Sequence, residues 1–127
     1  MQNRIEELHD ELENHKVDTR ILKDIDCVRE MIVRNMYDKD EVIRIEDKYS
    51  VETNFFQKFE NSLKFGFDNN YDDPALQVLV NLRDRLYLIA VYKVLKEEEK
   101  EIPQDIVTRS YPELLELLRS WQKYTNN

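Results

Sequence analysis

Apolar side chains return every three or four positions along almost the whole chain, a rhythm that predicts helices rather than strands. Ile5, Leu8 and Leu12 form a narrow stripe among acidic residues, predicting an amphipathic helix from Arg4 to about His15. Asp18 or Thr19 is placed to cap a second helix. Its stripe runs Ile21, Ile25, Val28, Ile32 and Met36, widened by Leu22 and Cys27. Asp38 and Glu41 stand three apart ahead of Val42, a capping-box spacing that opens a third helix through Val42, Ile45, Tyr49, Phe56, Phe59 and Leu63. Ser50, Val51 and Thr53 lower helix propensity, so a break is expected between Tyr49 and Thr53. Gly66 suits the residue that ends this segment, and Phe67 to Asp73 reads as a loop.

Asp73 followed by Pro74 is a helix start: a side-chain acceptor, then a residue that needs no N–H in the first turn. The helix it opens, about 74–98, carries Leu76, Leu79, Val80, Leu82, Leu86, Ile89, Ala90, Val94 and Leu95. Only Arg83 to Arg85 suggests a solvent face, and a helix apolar on most sides has to be surrounded. Ile102 and Pro103 close the charged run Lys96 to Glu101. Ser110, Pro112 and Glu113 then open a terminal helix bearing Leu114, Leu115, Leu117, Leu118, Trp121 and Tyr124. The expected fold is all-α: a compact bundle of five to six helices around the central apolar helix, forming a single helical domain over 1–127.

Composition sharpens the picture. Of the 127 residues 41% are apolar and 36% charged, the latter well above the roughly 25% usual in soluble domains. Helices with apolar stripes and charged outer faces reconcile the two figures. The net charge is −8 and is uneven: 6 basic and 9 acidic residues up to Tyr37, 5 and 10 from Asp38 to Asp73, then 8 and 8. An acidic surface argues against direct nucleic-acid or anionic-membrane binding; it implies either a basic partner or simply solubility, and solubility is the favoured reading. The longest apolar run, Leu86 to Tyr92, has seven residues, where a bilayer needs about 20. Met1 to Lys16 is charged throughout with no apolar stretch of the signal-peptide kind, and the lone Cys27 has no partner for an internal disulfide. A soluble, cytoplasmic protein in a reducing compartment is expected.

Candidate chemistry is sparse. One glycine cannot write either G-x-G-x-x-G or G-x-x-x-x-G-K-[ST], so a phosphate-cradling loop is not expected. His9 with Glu13, and Glu11 with His15, have a spacing at which two side chains meet one metal. Zinc, however, wants four ligands, and Cys27 belongs to no recognisable pattern. Cys27 beside an apolar stripe reads as a small buried hydrophobe rather than a nucleophile. Asp24 with Asp26, Glu46 with Asp47, and Asp72 with Asp73 sit too close in sequence to share a proton from one helix face. Asp68 to Asp73 has the composition of a calcium loop without its ligand spacing. The expectation is no enzyme, no cofactor and no metal.

The 13 aromatic residues exceed what one central helix needs for its own cover, and exposed rings are common interface anchors. Phe55, Phe59, Tyr87, Tyr92, Trp121 and Tyr124 are the candidate protein-interface residues.

Two stretches give these surfaces a direction. Ile5-Glu6-Glu7-Leu8 followed by Ile21-Leu22-Lys23-Asp24-Ile25-Asp26-Cys27-Val28-Arg29-Glu30-Met31-Ile32 resembles the opening of the helical domain of archaeal GINS subunits, scaffold proteins of the replicative helicase assembly. Leu82-Arg83-Asp84-Arg85-Leu86-Tyr87-Leu88-Ile89-Ala90 is similar to that family's L-x-x-R-x-x-K-I-x-x-L-A helix, and Glu113 to Trp121 to its final L-x-x-L-L helix. Cys27 stands where that family has an aromatic, Leu86 where it has a basic residue, and its small β domain has no counterpart here. The resemblance implies a non-enzymatic scaffold subunit in a homo- or hetero-oligomer, and the Lys, Glu, Ile and Tyr content is compatible with a thermophile. A second reading rests on the acidic excess before Pro74: a small viral or plasmid-encoded inhibitor that mimics nucleic acid and binds a basic protein.

Overall fold

The computed structural model describes residues 5–15, 19–57, 73–99, 101, 102, 106 and 111–125, the side chains of Thr19, residues 55–57 and residues 120–125 excepted. Six helices follow one another: α1 (Ile5–Asn14), α2 (Thr19–Arg34), α3 (Lys39–Lys48), α4 (Ser50–Gln57), α5 (Pro74–Glu97) and α6 (Tyr111–Thr125). No strand occurs among the described residues. This is the all-α bundle that the three- and four-residue rhythm predicts.

Local chemistry sets the boundaries. Asp38 caps α3 by accepting from the backbone N–H groups of Asp40 and Glu41, at 3.1 and 3.2 Å. Asp73 caps α5 by accepting from Ala75 N–H at 2.9 Å, with Pro74 in the first turn. The expected break falls at Tyr49, between α3 and α4. The predicted stop at Gly66 and the loop as far as residue 72 lie outside the described residues, as does Ser110.

At the end of α2, Asn35 adopts φ 54°. Its N–H bonds to Ile32 C=O at 3.2 Å, and Met36 N–H bonds to Met31 C=O at 2.9 Å. This paired pattern terminates a helix through a left-handed residue, and asparagine is the commonest choice after glycine. Met36 therefore leaves the α2 stripe and stands 63% exposed, where the sequence rhythm alone places it on the buried face.

α5 packs against α1, α2, α4 and α6, most extensively against α2, while α1 also lies along α6. The six consecutive residues Leu86 to Val91 are all buried. A run longer than one helical turn covers every direction round the axis, so this part of α5 is enclosed on all sides. The expected solvent face at Arg83 to Arg85 is corrected by the structure. Asp84 is buried against Tyr111 of α6, Arg83 lies largely covered beside it, and Arg85 is only partly exposed. The apolar core joins Ile5, Leu8 and Leu12 of α1 to Ile21, Ile25 and Val28 of α2, Val42 and Ile45 of α3, and Leu114, Leu115 and Leu118 of α6.

Candidate functional site

Of the six aromatic candidates, the structure describes the side chains of Tyr87 and Tyr92. Tyr87 is corrected outright: it is completely buried in the middle of α5 and cannot anchor a partner. Its ring meets Tyr111 edge-on at 5.5 Å between centroids, and its hydroxyl lies 2.9 Å from His9 Nδ1 while accepting from Arg29 Nη1 at 3.3 Å. Tyr92 is half-buried against the core, with Lys96 Nζ 5.9 Å from its ring centre. Phe55, Trp121 and Tyr124 lie on α4 and α6 with side chains outside the described set, and Phe59 is outside it altogether.

Among the described residues, the large apolar side chains that face solvent are aliphatic for the most part. Val33, Met36 and Tyr37 are 81%, 63% and 44% exposed, all within five positions at the corner between α2 and α3. Ile43 on α3, Val51 on α4 and Val78 on α5 are also exposed. Around the corner Glu30, Arg34, Asp38, Lys39 and Asp40 are exposed too, with Arg34 paired to Glu30, so the charges beside these apolar side chains are of both signs. Sequence reading missed Met36 and Tyr37. The signal was present: Asn35, a left-handed helix stop, lies three residues before the Asp38 cap, which leaves the intervening pair in a connection.

Among the described residues, four polar clusters join helices. Asp24 of α2 is buried and accepts from Tyr49 Oη at 2.7 Å, Lys48 Nζ at 2.9 Å and Arg44 Nη2 at 3.2 Å. Burial pushes its carboxyl up, but these three donors outweigh burial and hold it below the ordinary carboxylate value. Next to it, the half-buried Cys27 directs Sγ at Glu41 Oε2, 3.4 Å away; burial, then that carboxylate, pushes the thiol up. Arg44, then Cys27, hold Glu41 down. A raised thiol is a poor nucleophile, in keeping with a packing role.

At the second cluster Tyr111 donates to Asp84, and Arg83 donates to the same oxygen from Nε and Nη2, each at 3.2 Å. Burial and the adjacent Asp84 charge push the Tyr111 hydroxyl well above its ordinary value. The Arg83 guanidinium is destabilised by burial, yet Tyr111 and Asp84 reverse this and raise it.

The other two clusters lie beneath α1 and engage both histidines of the chain. His9 Nε2 is 3.4 Å from Glu13 Oε1 and from Asp26 Oδ1. His15 Nδ1 is 2.7 Å from Glu98 Oε2 and its Nε2 is 3.3 Å from Glu11 Oε2, while Arg119 Nε approaches Glu11 Oε1 at 3.4 Å. The i, i+4 pairs seen in the sequence are therefore real contacts. Among the described residues, however, no group of three or more His, Cys, Asp or Glu side chains is arranged to hold a metal ion. No described helix is long and apolar enough to cross a membrane.

No protein-family model matches the chain, and comparison with curated proteins and with solved structures also gives no match.

Proposed function

We propose that this chain is a non-enzymatic helical scaffold, a subunit that works by holding other proteins. The observation that carries this reading is the α2–α3 corner, where Val33, Met36 and Tyr37 offer large apolar side chains to solvent. Scattered single apolar residues on a surface are ordinary, but three within five positions form a site worth burying. The acidic excess of the chain before Pro74 would steer a basic partner toward it.

The resemblance to GINS helical domains supports a replicative helicase assembly as the setting, with other protein subunits as partners and no direct contact to nucleic acid. Its two main stretches lie on α2 and α5, which pack against each other more extensively than any other helix pair. A cytoplasmic, archaeal-like setting is part of the same proposal.

The test is affinity purification from the native host at low and high salt, with wild type beside Met36→Asp and Tyr37→Ser variants. A scaffold partner stays bound at high salt, because apolar burial is not screened, and is lost from the corner variants. The exposed acids of α1 to α3, including Asp10, Asp40 and Asp47, favour the alternative of an acidic viral or plasmid-encoded mimic. In that case a basic nucleic-acid-binding protein is captured at low salt only, and the corner variants retain it.

A further inference from the structure

Two of the three methionines of the chain lie five positions apart at the end of α2, and the backbone sends them opposite ways. Met31 is 7% exposed and belongs to the core, whereas Met36 is 63% exposed and forms no part of it. Had α2 continued, Met36 would follow Ile32 by one turn and share its partly covered face. Asn35 intervenes with its left-handed backbone, and the Met36 N–H is held on Met31 C=O at 2.9 Å. The same hydrogen-bonded turn that ends the helix therefore presents a thioether to solvent, between Val33 and Tyr37 in sequence.

That thioether has chemistry its apolar neighbours lack. Methionine sulfur is oxidised to a sulfoxide, and susceptibility follows exposure. With hydrogen peroxide, a sulfur lone pair takes one peroxide oxygen: the S–O bond forms, the O–O bond breaks, and the departing hydroxide leaves as water with the proton of the transferred hydroxyl. Sulfur gives up two electrons and the peroxide gains them. The return step draws two electrons from a pair of thiols, which leave as a disulfide while the oxygen leaves as water. A sulfoxide is polar where the thioether was apolar, and an apolar surface laid over it leaves its oxygen without a donor.

We propose that Met36 is an oxidation site, and that a hydroperoxide acting there closes the α2–α3 corner to an apolar partner. The closure rests on the docking reading given above, whereas the selectivity for Met36 does not. Met31 is shielded by the packing of α2 against the bundle, so the oxygen goes to the methionine outside the core and the fold keeps its stability.

The test begins with hydrogen peroxide on the folded full chain, followed by peptide mass mapping. Met36 is expected to gain oxygen at least about tenfold faster than Met31, the two rates coming within about twofold of each other in denaturant. The denaturant midpoint of the Met36-oxidised chain is expected to be that of untreated wild type. Equal rates in the folded chain, or a lowered midpoint, overturn the proposal.

Closure is then read by purification from native-host extract at high salt. Untreated wild type and peroxide-treated Met36→Leu, which keeps Met31 and Cys27, are expected to retain the same proteins. Treated wild type and untreated Met36→Gln are expected to lose at least about tenfold of them. Equal retention by treated and untreated wild type overturns the closure while the docking reading stands. Loss from treated Met36→Leu assigns the effect to another group and also overturns it. An untreated wild type that retains nothing at high salt removes the docking reading, and the closure with it.

Discussion

The Tyr49 hydroxyl donates to Asp24 Oδ2 across 2.7 Å, joining the residue that ends α3 to the buried face of α2. Lys48 and Arg44 reach the same carboxylate from positions 38% and 47% exposed, where water weakens them. The buried phenol is thus the partner whose loss is felt. Tyr49→Phe is expected to lower stability by about 1 kcal/mol. Asp24→Ala removes the acceptor of the phenol and the anchor of two cations, and is expected to cost about 3 kcal/mol by denaturant unfolding.

Asp24 also sets a limit on the acid side. Its native carboxyl lies below the ordinary 3.8, so the unfolded chain takes up a proton more readily than the folded one. The stabilisation is complete above that ordinary value and is lost as pH falls through the native one. Unfolding followed from ~pH 6 down to ~pH 2 is expected to show an acid loss in wild type that is reduced in Asp24→Asn.

Alkali acts on a different pair. Burial pushes Tyr87 up to about 12, against the opposing pull of Arg29, and pushes Tyr111 well above its ordinary value of 10.0. These groups contribute stability below 10.0 that disappears as pH rises through their native values, because the unfolded phenols ionise first. At ~pH 11 the folded chain is expected to show fewer phenolates than the seven tyrosines it contains, the missing absorbance appearing on unfolding. Full phenolate absorbance in the folded state would contradict the burial of both rings.

Helix starts were legible because they depend on nearest neighbours: Asp38 and Asp73 read directly as caps, and Tyr49 lay at the edge of a visible propensity dip. The enclosure of α5 was legible because its apolar residues fall on most sides of the helix. Asp84 was not, since an aspartate between two arginines looks exposed until Tyr111, 27 positions away, is known to face it. Tyr87 failed as a surface anchor for the same reason, because its burial is decided by α1 and α6. The α2–α3 corner was missed through trusting the helical period past Asn35, where the backbone had already turned left-handed. Periodicity predicts which face is apolar but does not say where the helix stops.

Cys27 is expected to react slowly. The thiol is half-buried, and burial together with Glu41 raises it above the ordinary 9.0, so little thiolate is present near neutrality. Modification by an aromatic disulfide reagent at ~pH 7.5 should be at least about tenfold slower in the folded chain than in denaturant. Glu41→Gln should speed it by removing the adjacent negative charge. An unchanged rate in that variant would mean that access, rather than charge, limits the thiol.

Glu99 offers a route to a more stable chain. It takes φ 57° just after α5, with its N–H bonded to Lys96 C=O at 3.1 Å, so the backbone demands a left-handed residue where the sequence supplies a glutamate. A Cβ in that region costs roughly 1 kcal/mol, and glycine carries no such strain. The greater freedom of glycine in the unfolded chain offsets part of the gain. Glu99→Gly is therefore expected to stabilise by about 0.5 kcal/mol, measured as a higher denaturant midpoint at an unchanged slope. Glu99→Val should do the opposite, because a β-branched side chain tolerates the left-handed region least. If glycine and valine shifted the midpoint in the same direction, backbone strain would not be what limits the end of α5.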